Sequence, residues 1–484
     1  MHEKKTRIKA THIIAFDGEK HRYLKDGELV YQGEEILYVG KRYPGPVDHT
    51  IDATGKVVSP GLINTHIHMS VSVLDRSFVE MGGPVELGYD TLIDYLMPRE
   101  RVMTEEMYTL CTEYSLAEVL RSGTTTCVEL GYGVEDLLHL VPQYGNRIYF
   151  APMYWSAFWY TTDGRNVKYE WLEDGGLGRM QQVAQMIQEH DGAADGLLRG
   201  LLSPAQADTS TEELLLKTQE WASQLDVPVT IHTSQAGWEA TNMVARHGKT
   251  AVAWLRDIGF LKDNVILAHT VYLSGTRWTD FPAGDIEIIA ETGASVAHAP
   301  WVFGRDGIAL DSFYTFQNAG INMTLGTDTC PQNMIQAMRL ASIFSKTMQG
   351  GNPHTTTGAD VFNAATLGGA RALGRDDLGR LSPGAKADIA IFSGDSMNMA
   401  PLRDPVNNIV FSAEMEDVDT VIVNGRIVLE DGIVLGVGDR AGEINHRIQA
   451  AAEEIWSNIH TVDREGRTIN QLSPLSFEPW DGPD

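Results

Sequence analysis

The sequence predicts an α/β fold, a (β/α)8 barrel joined to a small β domain built from both chain ends. Three observations carry that expectation. Between residues 61 and 375, eight short apolar runs alternate with helical stretches, as repeated β-α units around a parallel sheet do. The segments before and after lose the alternation and read as short strands with turn punctuation. Ligand-type side chains recur at the ends of the expected strands, where such a barrel carries its active site. A chain of 484 residues is too long for one simple core, so one large unit and a smaller one are expected.

The first part of the β domain spans residues 1–60. Ile8 to Phe16 is apolar-rich, Asp17-Gly18 turns, and Gly27 to Val30 and Glu35 to Val39 follow. The barrel spans 61–375. Its strands are expected at Leu62–His66, Thr124–Glu129, Arg147–Met153, Leu198–Leu202, Val227–His232, Val265–His269, Ala294–His298 and Ile321–Thr327. Helices are expected at Thr104–Arg121, Gly178–Glu189, Thr211–Leu225, Thr241–Arg246, Thr250–Ile258 and Pro282–Thr292, with Thr209-Ser210-Thr211 and the acidic Glu212-Glu213 after them reading as an N-cap with an acidic first turn. Ser70 to Pro98, with Met81-Gly82-Gly83 inside it, is a long insertion suited to a lid or a pocket wall. The second part of the β domain, 376–439, holds Ala387–Phe392 and Thr420–Val428, the latter turning at Asn424-Gly425. Residues 440–459 read as a helix and the rest, to 484, as an extended tail; both suit an interface in a homo-oligomer.

Composition narrows the function. A net charge of −27 argues against nucleic acid and anionic membrane surfaces as partners and leaves a small-molecule substrate. Its simplest effect is solubility. Three scattered cysteines form neither a disulfide framework nor a CxxC zinc pattern. The charged start lacks a signal-peptide core, and no run is apolar and long enough to span a membrane, so a cytoplasmic protein is expected.

The chemistry sits at strand ends. In Asn64-Thr65-His66-Ile67-His68 the two histidines point the same way off a strand. His232 ends the fifth strand, His269 the sixth and His298 the seventh, and Asp328 follows the eighth. A single histidine at a strand end is more often a hydrogen-bonded structural residue, and Asp328 alone reads equally as a turn residue. Together they favour a metal site, with zinc first and iron, cobalt or manganese as alternatives.

Pro60-Gly61-Leu62-Ile63-Asn64-Thr65-His66-Ile67-His68, Ser122-Gly123-Thr124-Thr125-Thr126, Thr230-Ile231-His232, Ala268-His269, Val296-Ala297-His298-Ala299-Pro300 and Leu325-Gly326-Thr327-Asp328 resemble the amidohydrolase superfamily. The resemblance, over about residues 8–430, is to its aminohydrolase branch of triazine hydrolases, deaminases and phenylurea hydrolases. It implies a distorted TIM barrel with a composite β-sandwich. It also implies one divalent metal on His66, His68, His232 and Asp328, with His269 beside the activated water or as a further ligand. Asp328 would carry the proton. A bound divalent ion brings the pKa of water to about 7, and a neighbouring carboxylate can shuttle protons. Relatives with two metals carry a lysine on the fourth strand; Leu201-Leu202-Ser203-Pro204-Ala205-Gln206 has none.

One departure bears on substrate. Deaminases of this branch carry His-x-x-Glu after the fifth strand, and here Gln235 takes the glutamate's place. An amide positions a substrate but exchanges no proton near pH 7. Glu239, four residues on, is the candidate substitute. Trp301 replaces a small polar residue of the family pattern after His298. With Trp155 and Trp238 it would suit a flat or apolar uncharged substrate, or else pack a loop or a subunit interface. The expected activity is hydrolysis of a non-peptide C–N bond in a urea, amide or carbamate-like molecule. The alternative is a deaminase or dechlorinase of an amino- or chloro-heterocycle. A non-catalytic assembly barrel is the remote third reading.

Overall fold

The computed structural model describes residues 4–78, 91–131, 133–282 and 284–480. Eight parallel strands form the barrel in two arcs of four. Leu62–Ile67, Thr124–Glu129, Arg147–Phe150 and Leu198–Gly200 make the first, and Val229–Thr233, Val265–His269, Ser295–His298 and Met323–Leu325 the second. Each arc is a continuous ladder, but the seams between them are single bridges. Leu202 and Gln206 meet Val229 and His232 at one seam, and Ile67 meets Asp328 at the other. This is the distortion of the barrel, and both seams carry residues of the ligand set.

The barrel strands are buried on both faces, and the polar side chains they bury, such as Thr65 and Thr324 at 2.6 Å, pair with one another. The outer helices bury one stripe each. Glu212–Leu225 is capped by Thr211, whose hydroxyl accepts the Leu214 amide, and it buries Leu214, Leu215, Thr218 and Ala222.

Both chain ends enter one eight-stranded sheet. Ile389–Phe392 lies antiparallel to His49–Pro60 and links the C-terminal strands Val418–Val423, Arg426–Glu430 and Ile433–Val434 to the N-terminal Lys5–Phe16, His21–Gln32 and Glu35–Gly40. The segment after Leu381 returns to the far edge, where the Ile36 amide donates to Ala385 O at 2.8 Å. Ile8, Ile13, Leu29, Ile36, Val58, Ile389 and Ile422 fill its core. Asn424 and Gly425, at φ 52° and 76°, make the tight turn expected of them.

Several elements differ from the sequence reading. His49–Pro60 is a twelve-residue strand, hidden because its first half is polar and partly exposed. The aromatic stretch leaves the barrel after Tyr154, which still pairs with Pro204, and Ala157–Thr161 pairs antiparallel with Val167–Trp171 as a hairpin over the mouth. Residues 462–472 pack against the protein, with a helical turn at Ile469–Leu472, whereas 474–480 are exposed and without helix or strand, as expected of a tail. Ala441–Asn458 is the expected helix. Of the insertion, Leu92–Leu96 and Met97–Arg99 are helical turns, whereas 79–90, including Met81-Gly82-Gly83, fall outside the described residues. No helix among the described residues is long and apolar enough to cross a membrane.

Candidate metal centre and active-site cavity

His66, His232 and His269 bring one ligand atom each to within 4.8 Å of one another, and so do His66, His68 and Asp328. The two groups share His66 and describe one centre. Asp328 Oδ1 lies 3.5 Å from His66 Nε2 and 3.4 Å from His68 Nε2, and its Oδ2 is 3.9 Å from His269 Nε2. The first and eighth strands approach closely enough because residue 326 is glycine; a Cβ there would lie 2.7 Å from the Cβ and carbonyl of His66. The backbones then lock, with Asp328 N donating to His66 O at 2.9 Å and His68 N to Asp328 O at 3.0 Å.

The imidazoles are prepared for a cation. His68 Nδ1 faces Leu130 O at 3.2 Å and His232 Nδ1 faces Ala205 O at 2.5 Å. A carbonyl only accepts, so both Nδ1 atoms carry the proton and both Nε2 atoms present lone pairs. Those Nε2 atoms face each other at 3.3 Å, an arrangement that a shared cation relieves. Both ring nitrogens of His66 and the Nδ1 of His269 are buried with no hydrogen-bond partner. Burial pushes the His68 imidazole down to about 4 and His269 to about 3, and takes His232 well below its ordinary value, so all three are neutral at pH 7. Burial would raise the Asp328 carboxyl, but His66, His269 and His68 hold it well below the usual range. The residues fit a divalent ion such as zinc.

The backbone is strained at the same place. Ser234, His269 and Asp328 sit at φ 54°, 77° and 62°, a region costing a non-glycine residue about 1–3 kcal/mol.

A cavity of about 830 Å3 opens from this centre. Of the residues singled out in the sequence, His68, His232, Asp328, Gln235 and Trp155 line it. The others stand behind. His298 is buried with its ring 6.4 Å from that of Phe313, and burial pushes it down to about 3. Trp301 donates its Nε1 to Cys330 O at 3.0 Å, and Trp238 packs edge-on against Trp159 at 5.6 Å. Glu239 does not face the cavity. Its carboxylate is fully buried and accepts the Ser234 and Gln235 amides at 2.6 and 2.8 Å, so it holds the turn that presents Gln235. Of the residues expected to touch substrate, Glu239, Trp238, Trp301 and His298 thus do not line the cavity: Glu239 and Trp301 are held by hydrogen bonds, and Trp238 and His298 by ring packing.

The insertion expected to form a pocket wall supplies part of the lining, and the aromatic stretch after Tyr154 supplies another part. Leu92, Leu96, Met97, Phe158 and Trp159 give the lining an apolar surface, and Glu100, Arg101, Glu105 and Glu170 line the cavity as well. Arg99 also reaches the cavity, neutralised by a two-point ion pair to Asp75 at 2.7 Å. The hairpin is latched by Asp208, whose Oδ2 accepts Trp159 Nε1 at 2.8 Å and the Tyr169 hydroxyl at 2.6 Å. Arg246 stacks on the Trp171 ring at 4.6 Å and donates to Asp208 O at 2.6 Å. No local motif marks these residues, since each partner comes from another element.

Comparison with known proteins agrees with this architecture. The amidohydrolase family profile matches residues 57–428. The chain is 28% identical over 457 residues to a 5'-deoxyadenosine deaminase of Methanosarcina barkeri, covering 94% of this chain and 99% of the relative. It is 31% identical over 419 residues to a 5'-deoxyadenosine deaminase of Methanothermobacter thermautotrophicus, covering 84% and 90%. Among solved structures, it superposes on an adenosine deaminase from Xanthomonas campestris with bound zinc, with a TM-score of 0.80, 23% identity and coverage of 93% and 98%. An atrazine chlorohydrolase from Arthrobacter aurescens, complexed with zinc, matches with a TM-score of 0.75, 23% identity and coverage of 92% and 100%.

Proposed function

The chain belongs to the amidohydrolase family, a metal-dependent hydrolase of carbon–nitrogen bonds, and we propose that its substrate is a small, uncharged urea, amide or carbamate-like molecule with an apolar or aromatic substituent. The observation that carries this reading is the acid missing beside the centre. Gln235 faces the cavity where deaminases of the branch place a glutamate, and the Glu239 carboxylate is committed to two backbone amides. A ring-nitrogen acid is thus wanting on that side, whereas a carbonyl substrate needs none. The apolar surface of the cavity supports the substituent.

His66, His68, His232 and Asp328 would hold the ion, zinc in the first instance, with His269 beside it. When bound it supplies Lewis acidity toward water and the substrate carbonyl. Asp328 takes the proton of the attacking water and returns it to the departing nitrogen. Gln235 hydrogen-bonds the substrate and fixes its orientation. Trp155 and Trp159 enclose the substituent and exclude water.

The second reading, a deaminase of an adenosine derivative or a dechlorinase of a triazine, is favoured by the relatives. Product analysis separates the two. The zinc-loaded enzyme is expected to release the substituent amine from aryl ureas or thiocarbamates. Ammonia from 5'-deoxyadenosine, or chloride from a chlorotriazine, with ureas untouched, would overturn the first reading. In either case Asp328→Asn is expected to lower kcat by about 10²–10⁴-fold, the range for loss of an acid–base group, as steady-state rates will show.

A further inference from the structure

Residues 459–472 lie outside both the barrel and the sheet of the chain ends, and beyond the family match, which stops at 428. They are nonetheless wired to the cavity wall. Leu92, Leu96 and Met97 face the cavity. Asp94, on the same helical turn, points the other way, with a side chain only 2% exposed. It receives Arg464 on Oδ1, and Arg467 Nη1 on Oδ2 at 3.3 Å. Asp463, also buried, holds Arg467 at 2.8 Å and accepts the Glu465 and Arg467 amides. Two carboxylates balance two guanidinium groups, so the cluster leaves no net buried charge. Beneath it Phe78 and Tyr95 stack at 3.9 Å and pack with Ile459 and Leu472.

Arg464 makes a second contact. Gly164, at φ 69°, forms the tip of the hairpin over the cavity mouth, and a Cβ there would lie 2.3 Å from Arg464 Nη2. One guanidinium therefore touches both walls, the turn carrying Leu92–Leu96 and the hairpin carrying Trp159. A side cleft of about 300 Å3 runs between them, bordered by Met97, Arg101, Tyr160, Glu170, Val462 and Arg464. The first four also line the main cavity.

We propose that the C-terminal segment 459–472 is the specificity element of this enzyme. Arg464, paired to Asp94 and seated against Gly164, sets the spacing of the two walls and hence the bulk of substituent admitted beside Trp155 and Trp159. Arg464 is a positioning residue. The role rests on the reading of this cavity as the active site of a hydrolase of apolar-substituted substrates.

The test uses the full chain loaded with zinc. Amide hydrogen exchange is compared between wild type, Arg464→Ala and Asp94→Asn. Exchange is expected to quicken by about tenfold or more in both 92–99 and 157–171, with none gained in the barrel strands. Unchanged exchange in either wall overturns the clamp. That measurement needs no substrate, so failure of the clamp and failure of the hydrolase reading are distinguishable. With the substrate class that turns over, Arg464→Ala is expected to raise KM about tenfold for a bulky aryl substituent and to leave kcat within about twofold. A small-alkyl analogue is expected to be little affected, and Arg464→Lys to recover most of the loss. Equal KM changes for large and small substituents, or a fall in kcat alone, overturn the specificity role. Should Arg464→Ala not fold, Arg464→Gln keeps a polar side chain too short to reach both walls, and is expected to shift the KM ratio in the same direction; an unchanged ratio overturns the proposal.

Discussion

Gln235 is where substrate choice concentrates at the scale of single residues. Its neighbours fix its backbone, and its amide faces the cavity. Gln235→Glu would place an ionisable carboxyl there without changing shape. On the proposed reading it lowers native turnover by about tenfold or more, because a positioned hydrogen-bond donor is lost. A gain of ammonia release from an amino-heterocycle, read by coupled assay, would instead identify the acid as the limiting feature. His298 offers a pH prediction. Burial holds its imidazole at about 3, whereas the unfolded chain titrates near 6.5. Between those values the unfolded state binds the extra proton, so stability falls as pH drops from about 6.5 toward 3. Denaturant midpoints of the metal-free protein are expected to follow that direction, and His298→Asn to flatten the slope.

At the scale of elements, one turn and one hairpin place the chemistry. Glu239 holds the Ser234–Gln235 turn from inside the following helix, Gly237–His247. Glu239→Ala would strand two buried amides at about 1–3 kcal/mol each, giving a loss of about 2–6 kcal/mol in thermal or denaturant unfolding. Gln235 would lose its orientation, so kcat/KM should fall more than metal content does. This role was not legible in the sequence. The spacing of Glu239 from His232 is compatible with facing the cavity or the backbone, and only the path of the turn decides between them. The hairpin was not legible either, because its apolar residues face a cavity and its pairing partner, Val167–Trp171, is mostly exposed and carries no strand signal of its own. The eight strands and their ligand ends were legible, because burial on both faces gives apolar runs and the ends of those runs fall where the ligands stand.

At the scale of the molecule, the sheet of the chain ends is bolted to the barrel floor by a buried ion pair. Arg147, at the start of the third barrel strand, donates to both oxygens of Asp388 at 3.0 and 3.1 Å, and the Asn424 amide donates to Asp388 at 2.7 Å. Asp388→Ala would leave a buried guanidinium uncompensated. A loss of about 3–5 kcal/mol is expected, seen as a lower unfolding midpoint, with KM unchanged because the cavity lies at the opposite end of the strands.

By itself the sequence determined the class of machine: a barrel of alternating β-α units, a β domain shared between the chain ends, and a set of imidazoles with one aspartate at strand ends. Those features are local or periodic, and a pattern along the chain records them. The tertiary structure decided how that set meets at the two seams of the barrel and that Glu239 serves a turn. It also decided that Asp208 latches the aromatic hairpin and that residues after 459 brace the cavity wall. Each depends on a contact between distant segments, where distance and direction are set by packing and leave no mark on neighbouring residues.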